Sequence, residues 1–215
     1  MANDLIIVGC GGFGREVVGI VDAINAESVE PAWNLLGFVD DAPGETNLDR
    51  IKAIGLGCLG TTEDLISRLK SSEVQYVIAV GLPQARRDIS SRIGHDESAA
   101  TLIDPDARIG RDARIGHGVV VAAGAHVTTN VEVGRHVHVD RAVQVGHDST
   151  LGDFATVHPG SVISGNCQVG ERVELGSNCT LLPGITVASA AIIGAGACVT
   201  KDVIDGQTVK GVPAR

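Results

Sequence analysis

The stretch Val145-Gly-His-Asp-Ser-Thr-Leu151-Gly-Asp-Phe-Ala-Thr-Val157-His-Pro-Gly-Ser-Val-Ile163 repeats one pattern every six residues: an aliphatic anchor, turn-prone residues, then a small residue two places before the next anchor. Continued outward, the step runs Ile103, Ile109, Ile115, Val121, Val127, Val133, Val139, Val145, Leu151, Val157, Ile163, Val169, Leu175, Leu181, Val187, Ile193 and Val199, seventeen positions without a polar residue. A second series two places earlier, from Ala107, Ala113 and Val119 to Ile185, Ala191 and Ala197, is nearly all small or β-branched. Residues i−2 and i share one face of an extended strand, so both series point inward. Gly follows the anchor at 110, 116, 134, 146, 152, 170, 176 and 194, where a corner with positive φ is expected. Three short strands and three turns make one triangular coil of eighteen residues, the repeat signature of a parallel β-helix. A β-sandwich does not hold phase over such a length.

The rest of the composition agrees. The chain has 215 residues, 44% hydrophobic but only 2% aromatic, with 28 glycines. A core of Val, Ile, Ala and Gly suits thin repeated layers. The net charge of −9 argues against a nucleic-acid partner, which needs a basic surface. Strand-like residues begin near Leu5 with no basic-then-apolar leader, and no span of eighteen apolar residues occurs, so a cytoplasmic protein without a membrane span is expected. Five cysteines with no CxxC pairing predict buried free thiols.

Ahead of the repeat, Leu5-Ile-Ile-Val8 reads as a buried strand, Gly9-Cys-Gly-Gly-Phe-Gly-Arg-Glu16 as a glycine-rich turn, and Val17 to Ile24 as a helix. This is the strand–turn–helix of nucleotide-binding βα units, where helical N–H groups favour phosphate. Leu35-Leu-Gly-Phe-Val39 predicts a second strand ending in Asp40-Asp41, near where such folds hold a ribose hydroxyl. A helix near Glu63–Leu69, a strand over Tyr76–Val80 and a helix opened by Arg86 and Arg87 complete the domain. It is too short for a full dinucleotide fold, which disfavours NAD; a half-size unit suits one mononucleotide. The expected division is 1–98 for this half-Rossmann-like α/β domain and 99–215 for the β-helix.

The repeat, closing with Gly194-Ala-Gly-Ala-Cys-Val-Thr-Lys-Asp-Val203 and Val209-Lys-Gly-Val-Pro-Ala-Arg215, resembles the hexapeptide-repeat acyltransferases, whose coil is left-handed. With the front domain, the whole chain resembles the acetyltransferases of bacterial surface-sugar synthesis. These include the nucleotide-linked 4-amino-4,6-dideoxyhexose N-acetyltransferases and the sialic acid O-acetyltransferases. The resemblance implies a homotrimer that takes acetyl-CoA as co-substrate in the groove between neighbouring helices, with no metal. It implies nucleotide contacts at Gly12, Phe13, Gly14, Asp40 and Asp41. The family's catalytic histidine follows an anchor, has an acidic neighbour and precedes a second histidine by about ten residues; His147, Asp148 and His158 match. His147 is then the general base, Asp148 its orienting partner and His158 a contact near the thioester. Aligned acetyl-CoA positions are Gly165, Ser177, Ala195 and Gly196, with Lys201 and Lys210 as candidate phosphate partners. Some family members have an amide seven places before the catalytic histidine; this chain departs from them with Asp140.

The chemistry accords with those residue types. An amine attacking a thioester sheds a proton, and imidazole is the side chain whose ordinary titration reaches neutrality. Two rivals stand beside this reading. A metal-dependent hydratase of the γ-type carbonic anhydrase kind would need three ligands in the spacing that here falls on His117, Asp153 and His158. A non-catalytic scaffold would bind no CoA.

Overall fold

The computed structural model describes residues 2–27 and 29–215. It splits into two compact units, Met1–Leu102 and Ile103–Arg215.

The first unit is built on a three-stranded parallel sheet in the order β2-β1-β3, with β1 at Asn3–Val8, β2 at Trp33–Val39 and β3 at Gln75–Ile78. Leu5 to Val8 form the central strand and are all buried, as an uninterrupted apolar run between helices must be. Helix α1, Gly12–Ala26, starts directly after the glycine-rich turn. The turn needs its glycines for two reasons: Gly9 has φ +101°, and a Cβ on Gly14 would lie 2.0 Å from the Gly9 carbonyl oxygen. Helix α2 (Glu45–Ala53) was not foreseen; only Ile51 is buried along it, so no apolar stripe announces it. Helix α3 (Thr62–Leu69) opens with a reciprocal capping box between Thr61 and Asp64. Helix α4 (Pro83–Ile93) begins at a proline and ends at Gly94 in the left-handed region.

The second unit is a left-handed β-helix of two-residue strands. Three parallel sheets form its faces, and successive strands on a face are offset by eighteen residues, as in Gln144 with Val162 or Thr150 with Gln168. The first face carries Val139, Val157, Leu175 and Ile193, the second Val127, Val145, Ile163 and Leu181, the third Val133, Leu151, Val169 and Val187. Anchors and their i−2 partners form one continuous apolar core. Each buried Val or Leu side chain contributes about 1.5–3 kcal/mol over leaving it exposed. The polar members of the inner series are satisfied: Ser149 Oγ donates to the Ser164 carbonyl and accepts from Cys167 N–H, and Ser161 Oγ donates to the Gly176 carbonyl. Past Val199 the spacing contracts, Val187 pairing with Val203 and Ile192 with Thr208.

One expectation about the corners is corrected. The glycine after the anchor does not have positive φ. A Cβ there would strike the backbone of the next coil: at Gly110 it would lie 2.3 Å from the Thr128 carbonyl oxygen, and at Gly152 2.6 Å from Glu171 N. Close approach between coils explains this glycine. Positive φ falls two residues later, and non-glycine residues occupy it at Asn130, His136, Ala142, Asp148, Phe154, Asn166, Arg172, Asn178 and Ala190.

Candidate active site

His147 and Asp148 stand in the turn that follows Val145 on the second face. Asp148 takes the left-handed conformation at φ 58°. This turns its carboxylate back so that Oδ2 lies 2.6 Å from His147 Nδ1. An ionised carboxylate only accepts, so Nδ1 carries the proton, and in the neutral ring Nε2 then holds the lone pair. The Asp148 carboxyl is held below the usual range, first by the hydrogen bond from Asn130 and then by the one from His147. The imidazole side chain is 56% exposed, open to an incoming group. Its Nε2 edge lies above Gly165, one coil on, where a Cβ would come within 2.5 Å of Nε2. Spacing alone could not show that the glycine leaves room for the ring.

His158 follows Val157 on the first face, so it belongs to a different corner. Its Nε2 lies 3.0 Å from Glu174 Oε1, with both side chains about one-third exposed. Ser177, Ala195 and Gly196 lie in the later coils of this same corner, where Gly196 N–H donates to the Ser177 carbonyl. Lys210 packs its Cβ over Gly194 there, whereas Lys201 follows Val199 on the second face. The proposed acetyl-CoA residues of one chain are thus divided between two corners: Gly165 and Lys201 with His147, and Ser177, Ala195, Gly196 and Lys210 with His158. Asp140 sits one coil before His158, largely buried, its Oδ1 accepting from Arg141 N–H at 2.7 Å; it stands at the second histidine's corner.

For the metal rival, Asp153 accepts from Arg135 N–H at 2.8 Å and Nε at 3.0 Å. Among the described residues no group of three or more His, Cys, Asp or Glu is placed to hold a metal ion.

In the first unit, Asp40 and Asp41 line a cavity of about 190 Å³ with Gly9, Ala42, Thr62, Val80 and others. Gly12 and Phe13 lie in the first turn of α1 outside that lining, and Gly14 is buried against Gly9. Both carboxylates already receive protein donors. Asp40 accepts from Cys10 N–H at 2.9 Å, the Cys10 thiol at 3.1 Å and Ala42 N–H at 3.0 Å. Asp41 accepts from Thr62 N–H at 2.8 Å and pairs with Arg92. They shape the cavity wall as much as they offer acceptors to a ligand. Gly9 of the glycine-rich turn lines this cavity, and so does Thr62, a helix-start residue that only the fold brings there. All five cysteines are free; Cys10, Cys167 and Cys179 are buried. No helix among the described residues is long and apolar enough to cross a membrane.

A parallel α/β unit followed by a left-handed hexapeptide helix defines a class, and known proteins share it. Residues 4–93 match the PglD N-terminal domain family. The acetyltransferase domain of PglB from Neisseria gonorrhoeae FA1090, solved in complex with acetyl coenzyme A, is 32% identical with a TM-score of 0.83, covering 100% of this chain and 99% of that one. A mutant of perosamine N-acetyltransferase from Caulobacter crescentus, in complex with CoA and GDP-perosamine, is 25% identical with a TM-score of 0.86, covering 100% of this chain and 97% of that one. Galactoside O-acetyltransferase of Escherichia coli is 38% identical over 56 residues, 26% of this chain and 28% of its own length. The chain spans 30% or less of the length of the curated relatives it matches. The chain belongs to the hexapeptide-repeat sugar acetyltransferase family.

Proposed function

We propose that the chain transfers the acetyl group of acetyl-CoA to the 4-amino group of a nucleotide-linked 4-amino-4,6-dideoxyhexose, in the cytoplasmic synthesis of a surface polysaccharide or glycan. The observation that carries this reading is the His147–Asp148 pair, with Nδ1 engaged by the carboxylate and Nε2 left as an acceptor beside Gly165. The neighbours support it: one solved with acetyl coenzyme A, another with CoA and GDP-perosamine.

In the reaction the amine nitrogen attacks the thioester carbonyl carbon. The proton shed by nitrogen passes to His147 Nε2, and Asp148 steadies the imidazolium. Backbone N–H donors stabilise the oxyanion. Collapse breaks the C–S bond, and the leaving sulfur takes the proton back from the imidazolium, giving the amide and free CoA. His158, Gly165, Ser177, Ala195 and Gly196 form the acetyl-CoA site, with Lys201 and Lys210 toward its phosphates. The cavity bounded by Asp40 and Asp41, with the turn at Gly12 to Gly14, serves the nucleotide.

The corners that carry His147 and His158 are separated by about five extended residues, roughly 15 Å. Side chains diverging from two corners of one coil do not meet at one acetyl group. Both therefore act at one thioester only if neighbouring subunits of a homotrimer supply them.

The test is an acetyl-transfer assay of UDP-, dTDP- and GDP-linked 4-amino sugars beside free sialic acid. Transfer to a nucleotide-linked amine is expected; transfer to the free acid alone overturns the reading in favour of O-acetylation.

A further inference from the structure

The His147–Asp148 pair does not end at Asp148. The second Asp148 oxygen, Oδ1, accepts from Asn130 Nδ2 at 2.7 Å. Asn130 lies one coil earlier in the same corner and shares the left-handed conformation, φ 53° against 58° for Asp148. Its own backbone is held in turn: Asn130 N–H donates to Asp112 Oδ1 at 3.1 Å, and Thr129 Oγ1 lies 2.9 Å from both Asp112 oxygens. The polypeptide also ties the two coils together, since Asp148 N–H donates to the Thr129 carbonyl.

We infer that Asn130 is a positioning residue for the acetyl-transfer reaction, holding Asp148 so that its other oxygen faces His147 Nδ1. The inference rests on the reading of His147 as general base. The physical argument is one of valence. A carboxylate in an exposed turn rotates freely and can present either oxygen, or water, to the imidazole. Fixing Oδ1 with an amide donor leaves Oδ2 aimed at Nδ1, which commits the ring proton to Nδ1 and the lone pair to Nε2. Asn suits this position twice over. It tolerates the left-handed backbone, and its amide supplies the donor that Asp at the same place would lack. The Asp112 carboxylate, held below its ordinary range first by the Asn130 backbone N–H and then by Thr129, anchors the far end.

The test uses the full chain and two variants. Asn130→Gly keeps the backbone conformation and deletes the amide. Asn130→Asp keeps the shape but sets a carboxylate against Asp148. Ring-nitrogen NMR, with the His147 resonances assigned by their loss in His147→Ala, should show the Nδ1–H tautomer in the native protein and a shift toward Nε2–H in Asn130→Gly. Turnover should fall about five- to tenfold in Asn130→Gly, the worth of one hydrogen bond, and further in Asn130→Asp, while KM for acetyl-CoA stays put. A purely structural role would leave the tautomer unchanged. An unshifted ring spectrum, or undiminished turnover in both variants, overturns the inference. Failure of the underlying reading shows separately: His147→Ala would then retain turnover whatever the ring spectrum of the Asn130 variants.

Discussion

The imidazole of His147 lies over the backbone of Gly165, so close that a Cβ there would stand 2.5 Å from Nε2. Gly165 is not among the residues with positive φ, so its backbone can accept alanine. Gly165→Ala is therefore a selective perturbation: the added methyl forces the ring aside without straining the coil. Turnover should fall about tenfold or more, because reacting groups must sit within a fraction of an ångström of their working geometry. The thermal midpoint should move little. Native turnover in Gly165→Ala would mean that the ring's position over this glycine is irrelevant to catalysis.

Replacing the proposed base itself should cost more. His147→Ala is expected to reduce turnover by about two to four orders of magnitude with acetyl-CoA binding largely kept. Steady-state kinetics across pH 6–9 checks this. Near-normal rates throughout would show that the amine loses its proton without the imidazole.

Because His147 and His158 stand at different corners, mixed assemblies of the proposed homotrimer give a direct readout of where the site is assembled. His147→Ala chains mixed with inactive His158 variants should regain activity, since one interface can then carry both intact residues. Mixed assemblies that form but stay inactive would overturn the shared site and leave His158 outside the reacting centre.

The thiols divide by environment. Burial, aided by the hydrogen bond to Asp40, pushes the Cys10 thiol up to about 12. Burial also raises Cys167 and Cys179. Alkylation follows the thiolate and its access. Iodoacetamide at pH 8 should label the partly exposed Cys58 and Cys198 first and leave the other three intact until the protein unfolds. Mass spectrometry of the labelled peptides reads the order; early labelling of Cys10 would contradict its seat beside Asp40.

Asp41 makes a prediction in acid. Burial opposes its ionisation, but Arg92 and the Thr62 N–H outweigh that and leave its carboxyl below the ordinary value. A carboxyl lowered on folding contributes stability above its unfolded value of about 3.9, and loses it as pH falls through the folded value. The Asp41→Asn variant should therefore be less stable than the native chain at pH 6, and the gap should close toward pH 2–3. The pair is partly exposed, so the effect is modest and salt-sensitive. Urea midpoints at the two pH values measure it; a gap that widens in acid would refute the assignment.

Much of the architecture was legible because hexad periodicity leaves few alternatives. Every anchor from Val121 to Val199 is buried in one core. The strand–turn–helix at Leu5 to Ile24 was legible for a similar reason, an apolar run ending in a glycine turn. Helix α2 was not, since a helix that buries one residue carries no stripe. The function of the corner glycines was misread because contact between coils is not a local property: Gly152 is glycine on account of Glu171.

His147, Asp148 and His158 could be singled out by chain order and resemblance. Their partners could not. Asn130 lies eighteen residues before Asp148, and Glu174 sixteen after His158. The repeat length places such residues side by side, but side-chain direction decides which of them meet.

The sequence by itself determined the repeat, its phase, the inward series and the glycine-rich turn, because each follows from local geometry and the burial of apolar side chains. Only the tertiary structure decided that Nδ1 of His147 faces Asp148, that Gly165 clears the ring, and that Asp40 is braced by Cys10. The first depends on side-chain direction, which Asn130 one coil earlier helps to set; the other two join residues one coil or one strand apart, and their geometry is set by how closely backbones stack, a quantity no single stretch of sequence contains.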